Sequence, residues 1–213
     1  MPNKYSDLCK LLPNEFTTEE AQQLLCKSYK APNKFLEQLV ASGQLIRLKK
    51  GLFVAADRFD PLAAAASIHG PSYLSFETAL GFYGMIPESV STIYSVVDAR
   101  QLRVEAAGHL YIYRSQQREL FAQGMTAVNL GGRNILIATK EKALLDTIAW
   151  SGISTKQTTQ SELFDSICDS FRLNHEDLHK LSRKQLAGLA PMYRSLAPRM
   201  FSQELAKRKV NGS

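Results

Sequence analysis

The sequence predicts an α+β protein in two parts, and three observations carry that expectation. Phe16 to Arg58 shows two short helical periods followed by a hairpin-like alternation; Thr92 to Ala138 holds four strand-like runs bracketed by helices; beyond about residue 155 the pattern is helical again. A chain of 213 residues is long enough for one large or two small domains. The first unit is complete by about residue 60, so the expected domains are 1–60 and 61–213, the latter with a mostly antiparallel sheet and a helical, basic part over about 155–213.

In the first unit, Thr17 or Thr18 is a good N-cap, Glu19 and Glu20 suit the positive end of a helix dipole, and Ala21, Leu24 and Leu25 form an apolar stripe. The period is lost over Cys26 to Ala31. Pro32 then fits the first position of a second helix, where its missing N–H is not needed. Phe35, Leu36, Leu39 and Val40 recur at helical spacing and should face a core, leaving Asn33, Lys34, Glu37 and Gln38 outside, and Gly43 supplies the stop. Ile46 and Leu48 next alternate with Arg47 and Lys49, Lys50-Gly51 makes a turn, and Leu52-Phe53-Val54 returns as a second strand.

Helix, Pro-started helix and basic hairpin in this order are the order of a winged helix-turn-helix, which points to DNA. In that reading Asn33, Lys34 and Gln38 of the second, recognition helix supply base contacts, while Lys30, Arg47, Lys49, Lys50 and Arg58 meet phosphates and release counterions. The alternative is that these are ordinary solvated charges on a small α+β unit. Some winged helices also bind protein, and the motif does not separate the two.

Asp60-Pro61 and Leu62 to Ser67 read as a turn and a short alanine-rich helix, broken by Gly70-Pro71. Ser75 then caps a helix containing Phe76, Ala79, Leu80 and Tyr83, which Gly84 ends. The strand-like runs are Thr92 to Val97, His109 to Arg114, Met125 to Leu130 and Asn134 to Ala138, with Gly131-Gly132 a strong hairpin signal between the last two. Thr139 caps a further helix to about Ala149, with Ala143, Leu144, Leu145 and Ile148 on its apolar side. Leu74, Phe76, Leu80, Phe82 and Tyr83 look like core. Glu141, Lys142 and Asp146 form either a functional cluster or the intrahelical ion pair of a capped helix.

Tyr73-Leu-Ser-Phe-Glu-Thr-Ala-Leu-Gly-Phe-Tyr-Gly-Met-Ile-Pro-Glu88, followed downstream by Ile137-Ala-Thr-Lys-Glu-Lys-Ala-Leu-Leu-Asp146, resembles the AbiEi-like antitoxins of bacterial abortive-infection systems. The resemblance spans roughly residues 15 to 150 and departs at Lys140, where the family commonly has proline. It implies a type IV antitoxin: a winged N-terminal domain that binds and represses its own promoter, and a second domain that opposes a cognate nucleotidyltransferase-like toxin. The expected partners are thus operator DNA and that toxin.

The net charge of +6 suits a polyanionic partner, and its distribution is more informative. Residues 1–60 carry 9 Lys and Arg against 7 acids, 61–169 carry 8 against 10, and 170–213 carry 9 against 3. The excess lies at the C-terminus, where Leu163, Phe164, Ile167 and Phe171, then Leu186, Leu189, Met192 and Phe201, mark helices. Arg183, Lys184, Arg194 and Arg199, with Lys207, Arg208 and Lys209, make a candidate basic patch for phosphate backbone, for RNA or for an acidic surface, unless they form a plain solvated tail.

His175-Glu-Asp-Leu-His179 matches H-E-x-x-H, the spacing with which a zinc protease binds its metal. Asn174 before it is a good N-cap, acids belong in a first turn for dipole reasons alone, and Glu204 is the one acid left downstream as third ligand. A capped surface helix is the expected outcome, with no enzyme activity, metal or cofactor. Cys9, Cys26 and Cys168 lack CxxC spacing and read as reduced thiols. No apolar stretch reaches the length of a membrane span, and the expectation is a cytoplasmic protein.

Overall fold

A computed structural model describes residues 13–25, 31–87, 91–130 and 132–210. The chain begins there with a short strand β1 (Glu15–Thr17), helices α1 (Thr18–Leu25) and α2 (Pro32–Ala41), and the hairpin β2 (Leu45–Lys49) and β3 (Leu52–Ala55). The strand β1, which the helical reading of this region did not anticipate, pairs antiparallel with β3 to give the order β1-β3-β2. Helix α1 starts on a capping box: the Thr17 N–H donates to Glu20 Oε2 at 2.6 Å and the Glu20 N–H to Thr17 Oγ1 at 3.2 Å. Leu24, expected on the apolar stripe, is instead 42% exposed, because Ala21 and Leu25 already fill the helix's contact with the sheet.

The hairpin lies between two cores. Leu45, Phe53 and Ala55 pack under α1 and α2 with Phe16, Leu36 and Leu39, whereas Leu48 and Val54 join the large second core. Strand geometry explains the split, since alternate residues point to opposite faces and both faces are covered at the base. A shift in pairing register between Arg47 and Lys49 bends β2 just before the turn.

Asp60 caps α3 (Pro61–Ile68), accepting from the N–H groups of Leu62 and Ala63. This helix ties the two parts together. Lys49 Nζ donates to the carbonyls of Ser67 and Ile68, 2.8 Å each, at its C-terminal end. Glu15 accepts from the Ser67 hydroxyl and pairs with Arg133 at 2.6 Å.

The second sheet is built from β4 (Ser72–Leu74), β5 (Thr92–Val97), β6 (Leu102–Ala106), β7 (His109–Ser115), β8 (Met125–Leu130) and β9 (Arg133–Ala138), in the order β6-β7-β5-β4-β9-β8. The pairs β4–β9 and β5–β7 run parallel, and the other pairings described are antiparallel. The four expected strands are present and two more join them. β4 is too short for its period to show, yet it sits inside the sheet. β6 is an edge strand, closed onto β7 by Ala107 and Gly108 at φ of 52° and 78°, the pair of positive angles a tight two-residue hairpin needs.

Helix α4 (Phe76–Phe82) follows β4, and the short α5 (Arg118–Phe121) follows β7. Phe82, expected in the core, is 38% exposed, because Phe76, Ala79 and Leu80 occupy the buried side. α6 (Lys140–Trp150) is the centre of the molecule: it packs on α4 and β9, and residues 141–148 are all buried. The remaining helices are α7 (Gln160–Phe171), α8 (His175–Lys180), α9 (Arg183–Leu189) and α10 (Ala197–Val210), with α9 and α10 closing over α6. Phe164 of α7 stacks on Phe201 of α10 at 4.7 Å. The molecule is thus mixed α+β with mostly antiparallel sheets and a helical C-terminal region. Among the described residues no helix is long and apolar enough to cross a membrane.

Candidate nucleic-acid interface

The exposed face of α2 and the tip of the hairpin enclose a groove of about 450 Å³, lined by Thr18, Asn33, Glu37, Arg47, Lys50 and Gly51 among others. Local sequence builds both walls. Pro32 starts α2, Leu36 and Leu39 anchor its inner side, and Asn33, Lys34, Glu37 and Gln38 are all exposed, as their spacing requires. Gly51 adopts φ 77° at the turn, and its carbonyl accepts from the Thr18 N–H at 3.0 Å, pinning the tip against the start of α1.

Two polar groups, one of them charged, hold defined positions at the groove. The Arg47 guanidinium lies 5.4 Å from the centroid of the Phe53 ring, a cation–π contact that restrains the long side chain. Gln22 Nε2 donates to Asn33 Oδ1 at 2.7 Å, so the Asn33 amide is oriented by α1 and its Nδ2 donors remain for a ligand. Glu37 puts one carboxylate among these cations. A negative group there disfavours indiscriminate anion binding.

The other DNA-contact residues expected from sequence distribute differently. Lys34 and Gln38 are exposed on α2 beside the groove, and Arg58 is exposed on the 3-10 turn leaving β3. Lys30 lies outside the described residues. Lys49, expected on phosphate, is exposed, and its ammonium donates to the two carbonyls at the end of α3. Its charge offsets the negative end of that helix dipole instead of standing free at the tip.

The C-terminal basic patch breaks up. Arg208 is bound to Asp165 at 2.8 and 3.1 Å and to Glu204 at 3.1 Å, and it stacks over Phe164 at 4.3 Å; Lys207 donates to Gln160 at 2.5 Å. Two of the terminal cations, Lys207 and Arg208, therefore fasten α10 to α7. Lys184, Arg194 and Arg199 are exposed and Arg183 is partly buried; Arg183 and Arg199 line a pocket between α9 and α10. In the H-E-x-x-H segment Asn174 caps α8 by accepting from the Glu176 N–H, and Asp177 pairs with Lys180 at 2.9 Å, the arrangement of a surface helix; the His175 side chain is outside the description.

A second polar constellation is buried, and sequence reasoning found only its helical part. Lys142 and Asp146, one turn apart on α6, are wholly buried and 2.5 Å apart. Asp146 Oδ1 also accepts from Tyr193 Oη at 2.6 Å and Gln116 Nε2 at 2.5 Å, and Oδ2 accepts from Ser75 Oγ at 2.6 Å. Lys142 Nζ donates to Gln116 Oε1 at 2.8 Å. The pair is the intrahelical one expected of a capped helix, and it lies in the interior. Ser75 gives up the cap expected of it, because its hydroxyl is engaged with Asp146. Burial pulls the Lys142 pKa below its ordinary value against the pull of Asp146, and burial beside Asp146 raises Tyr73 and Tyr193 above theirs.

Glu141 accepts from the Ser182 N–H at 2.7 Å, linking α6 to the start of α9. Cys168 is buried, with its thiol pushed up to about 12 mainly by desolvation, which leaves it inert; Cys9 and Cys26 lie outside the described residues. The sequence signal for a buried network was the absence of a polar face on α6, whose charges sit among Ala143, Leu144, Leu145 and Ile148. Gln116, Tyr193 and Ser75 carry no such signal, being far away in the chain. No protein-family model matches this chain, and no curated protein matches it in sequence.

Proposed function

We propose that this chain is a DNA-binding repressor that acts as the antitoxin of a type IV toxin–antitoxin system, with residues 1–60 as a winged helix-turn-helix and the remainder opposing a nucleotidyltransferase-like toxin. One observation carries the DNA half: the outer face of α2 and the hairpin tip form one open groove in which a restrained Asn33, a restrained Arg47 and Lys50 stand together. Such a face suits α2 in a major groove with the tip over phosphates. Lys34 and Gln38 extend it along α2, and Arg58 and Lys30 complete the phosphate set. The toxin half rests on the resemblance of residues 73–88 and 137–146 to the AbiEi-like antitoxins. No step of this activity needs catalysis, metal or cofactor.

The test is binding of the promoter upstream of the chain's own reading frame, measured as a function of salt. Replacing Arg47 and Lys50 together with alanine should weaken binding on all sequences and reduce the slope of log affinity against log salt by about 2. An unchanged slope would remove both from the interface. Co-expression with the neighbouring nucleotidyltransferase-like protein tests the other half, since rescue of growth is expected even for the doubly substituted chain.

A second reading, a winged-helix regulator without a toxin partner whose second domain senses a ligand, is favoured by the pocket between α9 and α10. An adjacent toxin-like reading frame supports the first reading and its absence the second.

A further inference from the structure

Leu186, Ala187, Ala190, Leu205 and Ala206 line a pocket of about 270 Å³ between α9 and α10, remote in sequence from the helix–hairpin groove. Its walls are mostly small and aliphatic, with Ser202 and Gln203 among them, and Arg183 and Arg199 line it as well. Arg199 Nη2 donates to the carbonyl of Pro191 at 2.6 Å, which fixes that cation at the rim. Arg183 Nη2 is buried without a hydrogen-bond partner. Buried N–H groups are nearly always paired, more so when charged, and one left open beside a cavity marks the place of an absent acceptor.

The chemistry of the lining narrows that acceptor. Two arginines in the lining disfavour a cation. The volume lies at the lower end for small-molecule sites, too small to enclose a nucleotide, and the aliphatic floor has little to offer a fully polar anion. A planar carboxylate matches a guanidinium fork, and a short hydrocarbon tail matches the alanines and leucines.

We propose that this pocket binds a small aliphatic monocarboxylate, with the carboxylate on Arg183 and Arg199 and the tail against Leu186, Ala190 and Leu205. The site goes beyond the DNA-binding reading and stands or falls without it. Its walls reach the buried network: Glu141 holds the N–H of Ser182, next to Arg183, and Tyr193, just past the pocket, holds Asp146. An occupant would therefore add a restraint at the α9 end of α6.

The experiment titrates the full chain with hexanoate at fixed ionic strength, with hexan-1-ol, hexylamine and N-acetyl-leucine as comparators, and follows the methyl resonances of Ala187, Ala190, Leu186 and Leu205. Hexanoate should saturate, shift these methyls and bind at least about ten-fold more tightly than hexan-1-ol, because it alone supplies a charge-assisted acceptor. Hexylamine should not bind. Arg183→Gln should reduce hexanoate to the level of the alcohol. Ala187→Trp, a substitution at an exposed pocket wall, should block both while leaving Arg183 in place. Equal binding of acid and alcohol, or a preference that survives Arg183→Gln, overturns the proposal. If that variant does not fold, retained binding in Ala187→Trp overturns it and loss supports it. Tighter binding of N-acetyl-leucine than hexanoate would assign the pocket to a peptide end and overturn the free carboxylate.

Discussion

Around the groove between α2 and the hairpin, Asn33, Arg47 and Lys50 keep their polar ends at the surface, each restrained by one neighbour or none. On α6, Lys142 and Asp146 reach no solvent, and both oxygens of the carboxylate are taken by four donors: Lys142 of α6, Ser75 just before α4, Gln116 before α5 and Tyr193 between α9 and α10. The residue types are alike and their consequences opposite. In the groove the polar groups stay open to solvent. In the network every group is complete, and the gain is a single arrangement of helices that tolerates no missing member.

That contrast can be broken in order of size. Asp146→Ala should be the most damaging change, costing about 3–5 kcal/mol, because it strands a buried ammonium; urea unfolding measures it. The same experiment on Lys50→Ala should shift stability by no more than about 0.5 kcal/mol, and a larger loss would erase the distinction between the two regions.

Alkaline pH comes next. Tyr73 and Tyr193 are held neutral above their ordinary range, so the unfolded state ionises first as pH rises through about 10. Their contribution is fully present below that pH and is lost above it, by about 1.4 kcal/mol for each tyrosine per pH unit. Lys142, with its pKa lowered, acts in the opposite sense below 10.5. Unfolding curves on either side of pH 10 should show the fall, and Tyr193→Phe should remove one share of it. An identical slope in that variant would place the titrating groups elsewhere.

Asn33→Ala should leave stability alone and change which DNA sequence is preferred, by about 1–3 kcal/mol at the base pair it reads, as scored on a panel of single-base operator variants. A uniform loss across the panel would reassign Asn33 to the backbone. Lys49→Ala is expected to cost about 1 kcal/mol of stability through the lost cap on α3 while the salt slope of DNA binding stays as in the parent. A slope reduced by about 1 would return Lys49 to the phosphates.

The elements with a clear period were readable. Pro32, Gly51 and the alternation around Arg47 located α2 and the hairpin, and Thr139 and Asn174 named two caps correctly. What escaped depends on contacts made across the chain. β1 and β4 are three residues long and exist because a longer strand pairs with them. Lys49 was assigned to phosphate because the turn is basic; only the nearby end of α3 shows where its charge goes. Arg208 read as a tail cation for the same reason, and Asp165 lies 43 positions away. At the groove, sequence found Asn33, Arg47 and Lys50 but not Gln22 or Phe53, which act by holding them.

The ion pair of Glu15 with Arg133 joins β1 to β9 across more than half the chain, and Glu15 is also bound by Ser67. During synthesis the first helices and hairpin emerge long before Arg133 does, so β1 can pair with β3 while its carboxylate still lacks the guanidinium. The N-terminal unit is therefore assembled early and sealed late. A ribosome paused between residues 60 and 133 would present a nascent unit with its groove formed and its strap to the second sheet open, and a chain cut there would carry an uncompensated acid at the seam.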